Sequence, residues 1–140
     1  MFYFPLNYEK VIKALKSNNV TYVCAVLQAL RWRITQTRGA ELRREILIAY
    51  QTNDVLELSE LQPENQNCLC YHLLLSSKNR KKEYITRFIN ALASDYQGRS
   101  YLLNNDYLLE ILIKVLRIEI GDTVIRRNTL GALQKLSLRR

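Results

Sequence analysis

The chain has 140 residues, of which 48% are hydrophobic and 24% are charged, and its formal net charge is +8 at pH 7. This length fits a single domain over residues 1–140, and the apolar content excludes global disorder because it is sufficient for a hydrophobic core. Only 4 Gly and 2 Pro are present, too few for the many tight turns of an all-β protein, so we predict an all-α fold.

The first half of the chain predicts four amphipathic helices, because apolar residues recur there every three or four positions. Asn18 and Asn19 are typical N-caps for the second helix, and Gly39 separates the second helix from the third. Pro63 with Glu64 is typical of a helix start, because Pro has no hydrogen bond to lose in the first turn and an acid suits the positive end of a helix. In chain order, the helices are expected over residues 7–16, 19–34, 40–52 and 63–75.

The second half begins with a polar, cationic segment, Ser76–Lys82, which we predict to be an exposed loop. An apolar stripe then predicts a helix from Ile85 that continues until Gly98, and a short apolar turn follows at Tyr101–Leu103. Two further helices are expected, with caps or breaks at Asn104-Asn105-Asp106, Gly121-Asp122 and Thr123.

The order of the last helices is typical of an armadillo repeat, which has a short helical turn, a medium helix and a longer one. Ile85–Ala93 and Arg126–Leu136 have the pattern of successive third helices at a period of about 40 residues, within the armadillo and HEAT range. We therefore predict a right-handed α-solenoid of about three armadillo-like repeats. No capping repeat follows Leu136–Arg140, so we expect an open apolar edge there and interpret the chain as a fragment or shortened form of a longer protein.

No set of residues in the sequence predicts catalysis, a cofactor or a metal site. His72 is the only histidine, and we interpret it as a core or groove residue. Glu57 and Glu60 are interpreted as solvated charges near a turn, and no Gly-rich phosphate loop is present. The protein is therefore predicted to be a non-enzyme without a small-molecule substrate. Three cysteines are interpreted as buried thiols, because their spacing fits neither zinc nor a redox pair: Cys24, Cys68 and Cys70.

The densest positive charge in the sequence is the run Lys78, Arg80, Lys81 and Lys82. It is either a solvated loop or a docking site for an acidic surface, for which tubulin tails or a nucleic-acid backbone would serve. A sequence pI near 9.6 makes a nucleic-acid-binding helical module the competing function. The dispersal of basic residues over several helices weakens that alternative and favours protein partners.

A second candidate group is Arg31, Trp32 and Arg33, since Arg and Trp are favoured at binding hot spots. Alternatively, Trp32 packs in the core and the arginines extend to water. A third group shares the final helix and is expected to line a concave face: Arg126, Arg127 and Lys135.

The sequence predicts no membrane insertion. Met1–Pro5 lacks the basic and apolar regions of a signal peptide, and no apolar run approaches the length needed to cross a bilayer. We expect an intracellular, soluble and cytoplasmic protein.

Several short segments resemble the LisH-domain armadillo-repeat family, and they occur in the family's order. The most specific is NTLGALQKLSLRR at the C-terminus, and the resemblance covers most of the chain from Gln28 onward. It implies an adaptor at the basal body, centriole and cilium, which supports cilium assembly or ciliary signalling with centriolar or microtubule-associated partners. The other segments are QALRWRIT from Gln28, YQTND from Tyr50, INALAS from Ile89 and GRSYL from Gly98.

Overall fold

The computed structural model describes residues 6–138, and the regular secondary structure in that range is α-helical apart from two short features. These features are a 3₁₀ turn at Leu58–Glu60 and a β-bridge between Gln62 and Asn65. The prediction of an all-α fold is confirmed, whereas the interpretations of Met1–Pro5 and of Arg139-Arg140 concern residues outside the described range. The helices are α1 (Tyr8–Leu15), α2 (Val20–Thr35), α3 (Ala40–Thr52), α4 (Leu69–Leu74), α5 (Asn79–Leu92), α6 (Tyr96–Leu103), α7 (Asp106–Ile118) and α8 (Val124–Ser137).

Local capping fixes where several helices begin. A helix N-terminus leaves backbone N–H groups without intrahelical partners, and a short polar side chain can accept from them. α3 starts differently, after Gly39, whose φ of +90° favours glycine. The predicted starts of α1, α2, α3, α7 and α8 are therefore confirmed. Four caps accept a hydrogen bond from the first turn of the following helix: Asn7, Asn19, Asn105 and Thr123.

The predicted helix start at Pro63 is wrong, because the chain forms a turn there. The side-chain amide of Asn65 donates to the carbonyl oxygen of Glu60 (3.0 Å). The backbone N–H of Asn65 donates to the carbonyl oxygen of Gln62 (3.0 Å). These local bonds replace the helical ones, and α4 starts only at Leu69, with 6 residues.

The boundaries around α5 and α6 also differ from the prediction. α5 begins at Asn79, inside the predicted loop, and ends at Leu92. Gly98 does not end a helix but lies buried within α6. A Cβ at this position would come within 1.8 Å of the carbonyl oxygen of Leu92, so the close approach of α6 to the end of α5 requires glycine.

α5 is the central helix, in contact with α2, α4, α6 and α8. Phe88 of α5 and Tyr50 of α3 are fully buried, and their rings meet edge to face with centroids 5.9 Å apart. The Tyr50 hydroxyl donates to the carbonyl oxygen of Leu30 in α2 (2.8 Å). One core therefore joins α2, α3 and α5.

The loop of residues 53–61, between α3 and α4, is held in place by α6. The buried Tyr101 hydroxyl donates to the Asp54 carboxylate (2.6 Å) and accepts from the Leu56 N–H (2.9 Å). Asp54 also accepts from the N–H groups of Leu58 and Ser59. Burial disfavours the charged carboxylate, but these hydrogen bonds outweigh it and lower the pKa of Asp54. Burial and the bond to Asp54 raise the pKa of Tyr101.

Candidate protein-interaction face

Helices α2, α5 and α8 lie side by side, with α5 in the middle. The Asn90 amide donates to Oδ1 of Asn128 (3.1 Å), and Nζ of Lys135 donates to Oγ of Ser94 (2.8 Å). Asn90 lies near the end of α5 and Ser94 lies two residues beyond it. Because the earlier of these residues meets Asn128 and the later meets Lys135, α5 and α8 run in the same direction. We call the solvent side of the three helices the α2–α5–α8 face. The exposed or partly exposed aromatic and cationic residues of the three helices and of the N-terminal end of α5 include Tyr22, Trp32, Lys78, Arg80, Lys81, Tyr84, Arg87 and Arg127. Among them, Lys81 lines a groove towards α1 and α4.

Trp32 of α2 lies at the surface. Its side chain is 46% exposed, so the interpretation that it packs in the core is wrong. The two arginines of this candidate group are less accessible. The Arg31 guanidinium donates to Oε1 of Gln28 (2.7 Å), and two guanidinium nitrogens of Arg33 are buried. Trp32 is thus the member of this group most accessible to a partner, and tryptophan is enriched at interface hot spots.

The prediction that Lys82 lies in an exposed loop is wrong. Lys82 is in the first turns of α5 and is 6% exposed. Its Nζ lies 2.9 Å from Oε2 of Glu119, and both side chains are largely buried. A buried ammonium requires such a partner, because desolvation without one is costly. Lys82 therefore connects α5 to the segment after α7.

The other three cations of this run remain at the surface. Lys78 and Arg80 are exposed and Lys81 is partly exposed. In residues 6–138, none of them forms an ion pair with an acidic side chain. The first turn of α5 also has no acidic residue, so the positive end of the helix dipole adds to their charge. This end of α5 attracts negative charge.

The three predicted residues of α8 have separate contacts. Arg126 donates to the carbonyl oxygens of Leu116 (2.6 Å) and Glu119 (3.1 Å), and so caps the end of α7. Arg127 forms an exposed ion pair with Asp122 (2.9 Å). Lys135 donates to the carbonyl oxygen of Asn90 in α5 (3.3 Å) and to Ser94 just after it. Arg126 and Lys135 thus hold neighbouring helices together, and only Arg127 extends into solvent.

Sequence reasoning missed a pair of residues on α5. The Arg87 guanidinium lies over the ring of Tyr84, 5.4 Å from its centroid, and both side chains are partly exposed. Residues three apart on a helix are neighbours, so the spacing in the sequence contained the signal. The stacked pair adds an aromatic and a cationic group to the α2–α5–α8 face.

An apolar groove of about 400 Å³ lies between α7 and α8. We call it the α7–α8 groove. Ile113 on its rim is 40% exposed. The apolar residues that line the groove are Leu109, Ile113, Leu133 and Leu136.

The described residues also bear on metal binding and membrane insertion. No group of three or more His, Cys, Asp or Glu residues within 6–138 is placed to bind a metal ion. Of the two interpretations of His72, the groove is confirmed and the core is not, since its side chain is exposed in a surface groove beside Lys16 and Lys81. No helix in the described range has both the length and the apolar character to cross a membrane. The cysteines are buried thiols, as predicted: Cys24, Cys68 and Cys70.

In comparisons with known proteins, the chain matches proteins of the same name from several species. No protein-family model and no solved structure matches the sequence. The chain is 42% identical over 135 residues to LisH domain-containing protein ARMC9 of Mus musculus and of Homo sapiens. It is 40% identical over 138 residues to the protein of the same name from Xenopus tropicalis.

These matches cover nearly all of this chain but a small part of each relative. They include 96 to 98% of the chain and 16 to 17% of the three relatives, so the chain spans about a sixth of the length of the curated relatives it matches. Nothing in the comparisons supports the nucleic-acid alternative. Over nearly its whole length, the chain is similar to a part of LisH domain-containing protein ARMC9.

Proposed function

We propose that the chain is a non-catalytic, protein-binding scaffold whose α2–α5–α8 face binds an acidic segment of a partner protein. The observation that carries this proposal is the combination of an exposed Trp32 with surface cations that have no acidic partner in residues 6–138. Aromatic and cationic side chains supply most of the energy at many protein interfaces. The similarity to LisH domain-containing protein ARMC9 supports an interaction role of this kind.

The architecture in this proposal is a right-handed α-solenoid of armadillo-like repeats, forming one domain over residues 1–140. α5 and α8 would be the third helices of successive repeats. Their parallel packing supports this, as do their starts at Asn79 and Val124, a spacing close to the predicted period. In such a solenoid, neighbouring third helices form a continuous surface suited to extended segments.

The contacts divide the ten candidate residues into two roles. Those that would touch the partner are Trp32, Lys78, Arg80, Lys81 and Arg127. Those that would position them are Arg31, Arg33, Lys82, Arg126 and Lys135.

The cellular setting is also part of the proposal. The family resemblance supports a cytoplasmic protein of the basal body and centriole that acts in cilium assembly or ciliary signalling. Centriolar and microtubule-associated proteins are then the expected partners, and the acidic tails of tubulin have the chemistry that surface cations would bind. The proposed function involves no small-molecule substrate, no cofactor and no membrane insertion.

Binding can be tested through the single tryptophan. We expect a glutamate-rich peptide to change the Trp32 fluorescence, with an affinity that falls as salt rises. A triple variant with Lys78→Glu, Arg80→Glu and Lys81→Glu should lose this binding, whereas Arg44→Glu, an exposed charge reversal on α3, should retain it. If the triple variant bound the peptide as tightly as the wild type, the α2–α5–α8 face would be excluded as the binding site.

The setting can be tested by expressing tagged chains in ciliated cells with proximity labelling. We expect the wild-type chain to be enriched at basal bodies among centriolar and microtubule proteins, and the triple variant to lose those neighbours. A nuclear or ribonucleoprotein neighbourhood would contradict the scaffold function and support nucleic-acid binding.

A further inference from the structure

α7 presents a stripe of charged and apolar residues at the outer edge of the fold. Glu110, Ile113 and Arg117 are exposed, and their spacing of three and then four residues places them along one side of the helix. In the described part of the chain, neither Glu110 nor Arg117 forms an ion pair. Lys114 is exposed beside this stripe, and its Nζ lies 5.9 Å from the centroid of the Tyr71 ring. The stripe therefore has an acidic half with Glu110 and the exposed Asp106, and a basic half with Arg117 and Lys114, on either side of Ile113.

Ile113 also forms one rim of the α7–α8 groove, so the stripe borders an apolar surface. The groove lining has only two polar residues, Gln134 and Ser137. Leu130 of α8, one turn before the groove residue Leu133, is 42% exposed. The groove and Leu130 thus give this edge exposed apolar side chains, and burying them against a partner would be favourable.

We propose that this edge binds a second copy of the chain, with the two α7 helices antiparallel about a two-fold axis near Ile113. In that arrangement, Glu110 of each copy faces Arg117 of the other, and each Ile113 packs into the other copy's α7–α8 groove. A two-fold interface requires a surface that is complementary to itself, and an acid and a base on either side of an apolar centre meet this requirement.

Charge complementarity selects a second copy over an unrelated helix. When the stripe is reversed end to end, its acidic half and its basic half exchange places, so one stripe supplies both sides of the interface. The edge is separate from the α2–α5–α8 face, so this inference stands independently of the proposed function.

Sedimentation equilibrium over a range of concentrations tests the proposal with charge reversals. We expect wild-type chains to dimerise, and Glu110→Arg or Arg117→Glu to weaken dimerisation about tenfold, because the two-fold axis repeats each new like-charge contact. An equimolar mixture of the two single variants should recover dimers, since each new arginine then meets a new glutamate. Ile113→Lys should abolish dimerisation.

Two charge reversals on α3, Glu45→Arg and Arg44→Glu, are matched controls, since both residues are exposed and lie away from the α7–α8 edge. They should dimerise as the wild type does. Far-UV circular dichroism should confirm that every variant keeps its helices. A wild-type chain that remains monomeric, or a mixture that gives no more dimer than each variant alone, would overturn the proposal.

Discussion

Tyr101 and Asp54 illustrate how one buried contact changes the charge behaviour of both partners. Burial alone would raise the pKa of the Asp54 carboxyl, yet one phenol and two backbone donors together hold this pKa below the ordinary value. Tyr101, which donates to that carboxylate, becomes a weaker acid. The contact therefore depends on ionised Asp54 and neutral Tyr101.

This dependence predicts how stability varies with pH. Because the pKa of Asp54 is lower in the folded chain than in the unfolded chain, its stabilisation is complete above the unfolded pKa of about 3.9 and is lost as pH falls through the folded value. Asp54→Asn should lower the free energy of unfolding by about 1–3 kcal/mol near neutral pH. In urea unfolding at several pH values, this difference should shrink below about pH 4. A difference that stays constant into acid, or that matches the exposed control Asp122→Asn, would contradict this role.

The candidate residues show what sequence can and cannot predict at this scale. Trp32 and Arg80 could be proposed from residue type and neighbouring charge alone. The burial of Lys82 could not, because its partner Glu119 is 37 residues away and no local pattern links them. The same limit applies to Arg126, whose acceptors become available only where α7 ends.

At the level of helices, the sequence predicted starts better than breaks. Asn19 and Thr123 act on the backbone of the next turn, so their signal is local and was read correctly. Pro63 carried an equally typical signal, but turn bonds made by Asn65 compete with helix formation there. Gly98 suggested an end because glycine weakens helices, whereas its function is to allow a close contact with another helix.

Gly98 and Gly131 provide a matched test of that contact. Gly98→Ala would place a Cβ 1.8 Å from a backbone oxygen, and such overpacking should cost about 1–3 kcal/mol or more, exceeding the roughly 1 kcal/mol that alanine gains in a helix. Gly131→Ala would meet the Asn90 side chain at 3.0 Å, which can move, so its effect should be small. Thermal unfolding of the two variants should therefore differ clearly. Equal thermal midpoints for the two variants would show that α6 can move away from the new Cβ without a loss of stability.

For the molecule as a whole, the position of α5 predicts cooperative unfolding. Since α5 packs against α2, α4, α6 and α8 and also meets α3 through the rings of Phe88 and Tyr50, the chain should unfold as one unit. Trp32 fluorescence and far-UV circular dichroism should then give the same urea midpoint. Phe88→Ala should lower both midpoints together and cost about 3–5 kcal/mol. Tyr96→Ala, a change at a mostly exposed side chain, should change neither. Separate midpoints would mean that the chain contains more than one domain.

The all-α class followed from composition and spacing, but the packing of the helices did not. Asn90 and Asn128 each fit an ordinary amphipathic helix, and only the folded chain brings their side chains together. The predicted period placed α5 and α8 as corresponding helices, yet it gave no information on α7 beside them. The sequence alone therefore did not predict that the residues around Ile113 form a continuous stripe on the surface.

The attachment of the 53–61 loop to Tyr101 has a consequence for synthesis on the ribosome. Asp54 leaves the exit tunnel first, and its partner is 47 residues later in the chain. During that interval α3 can form, but the loop after it has neither the phenol nor α6 to hold it. Release of Tyr101 from the tunnel is thus the step at which the first half of the nascent chain can acquire its final shape.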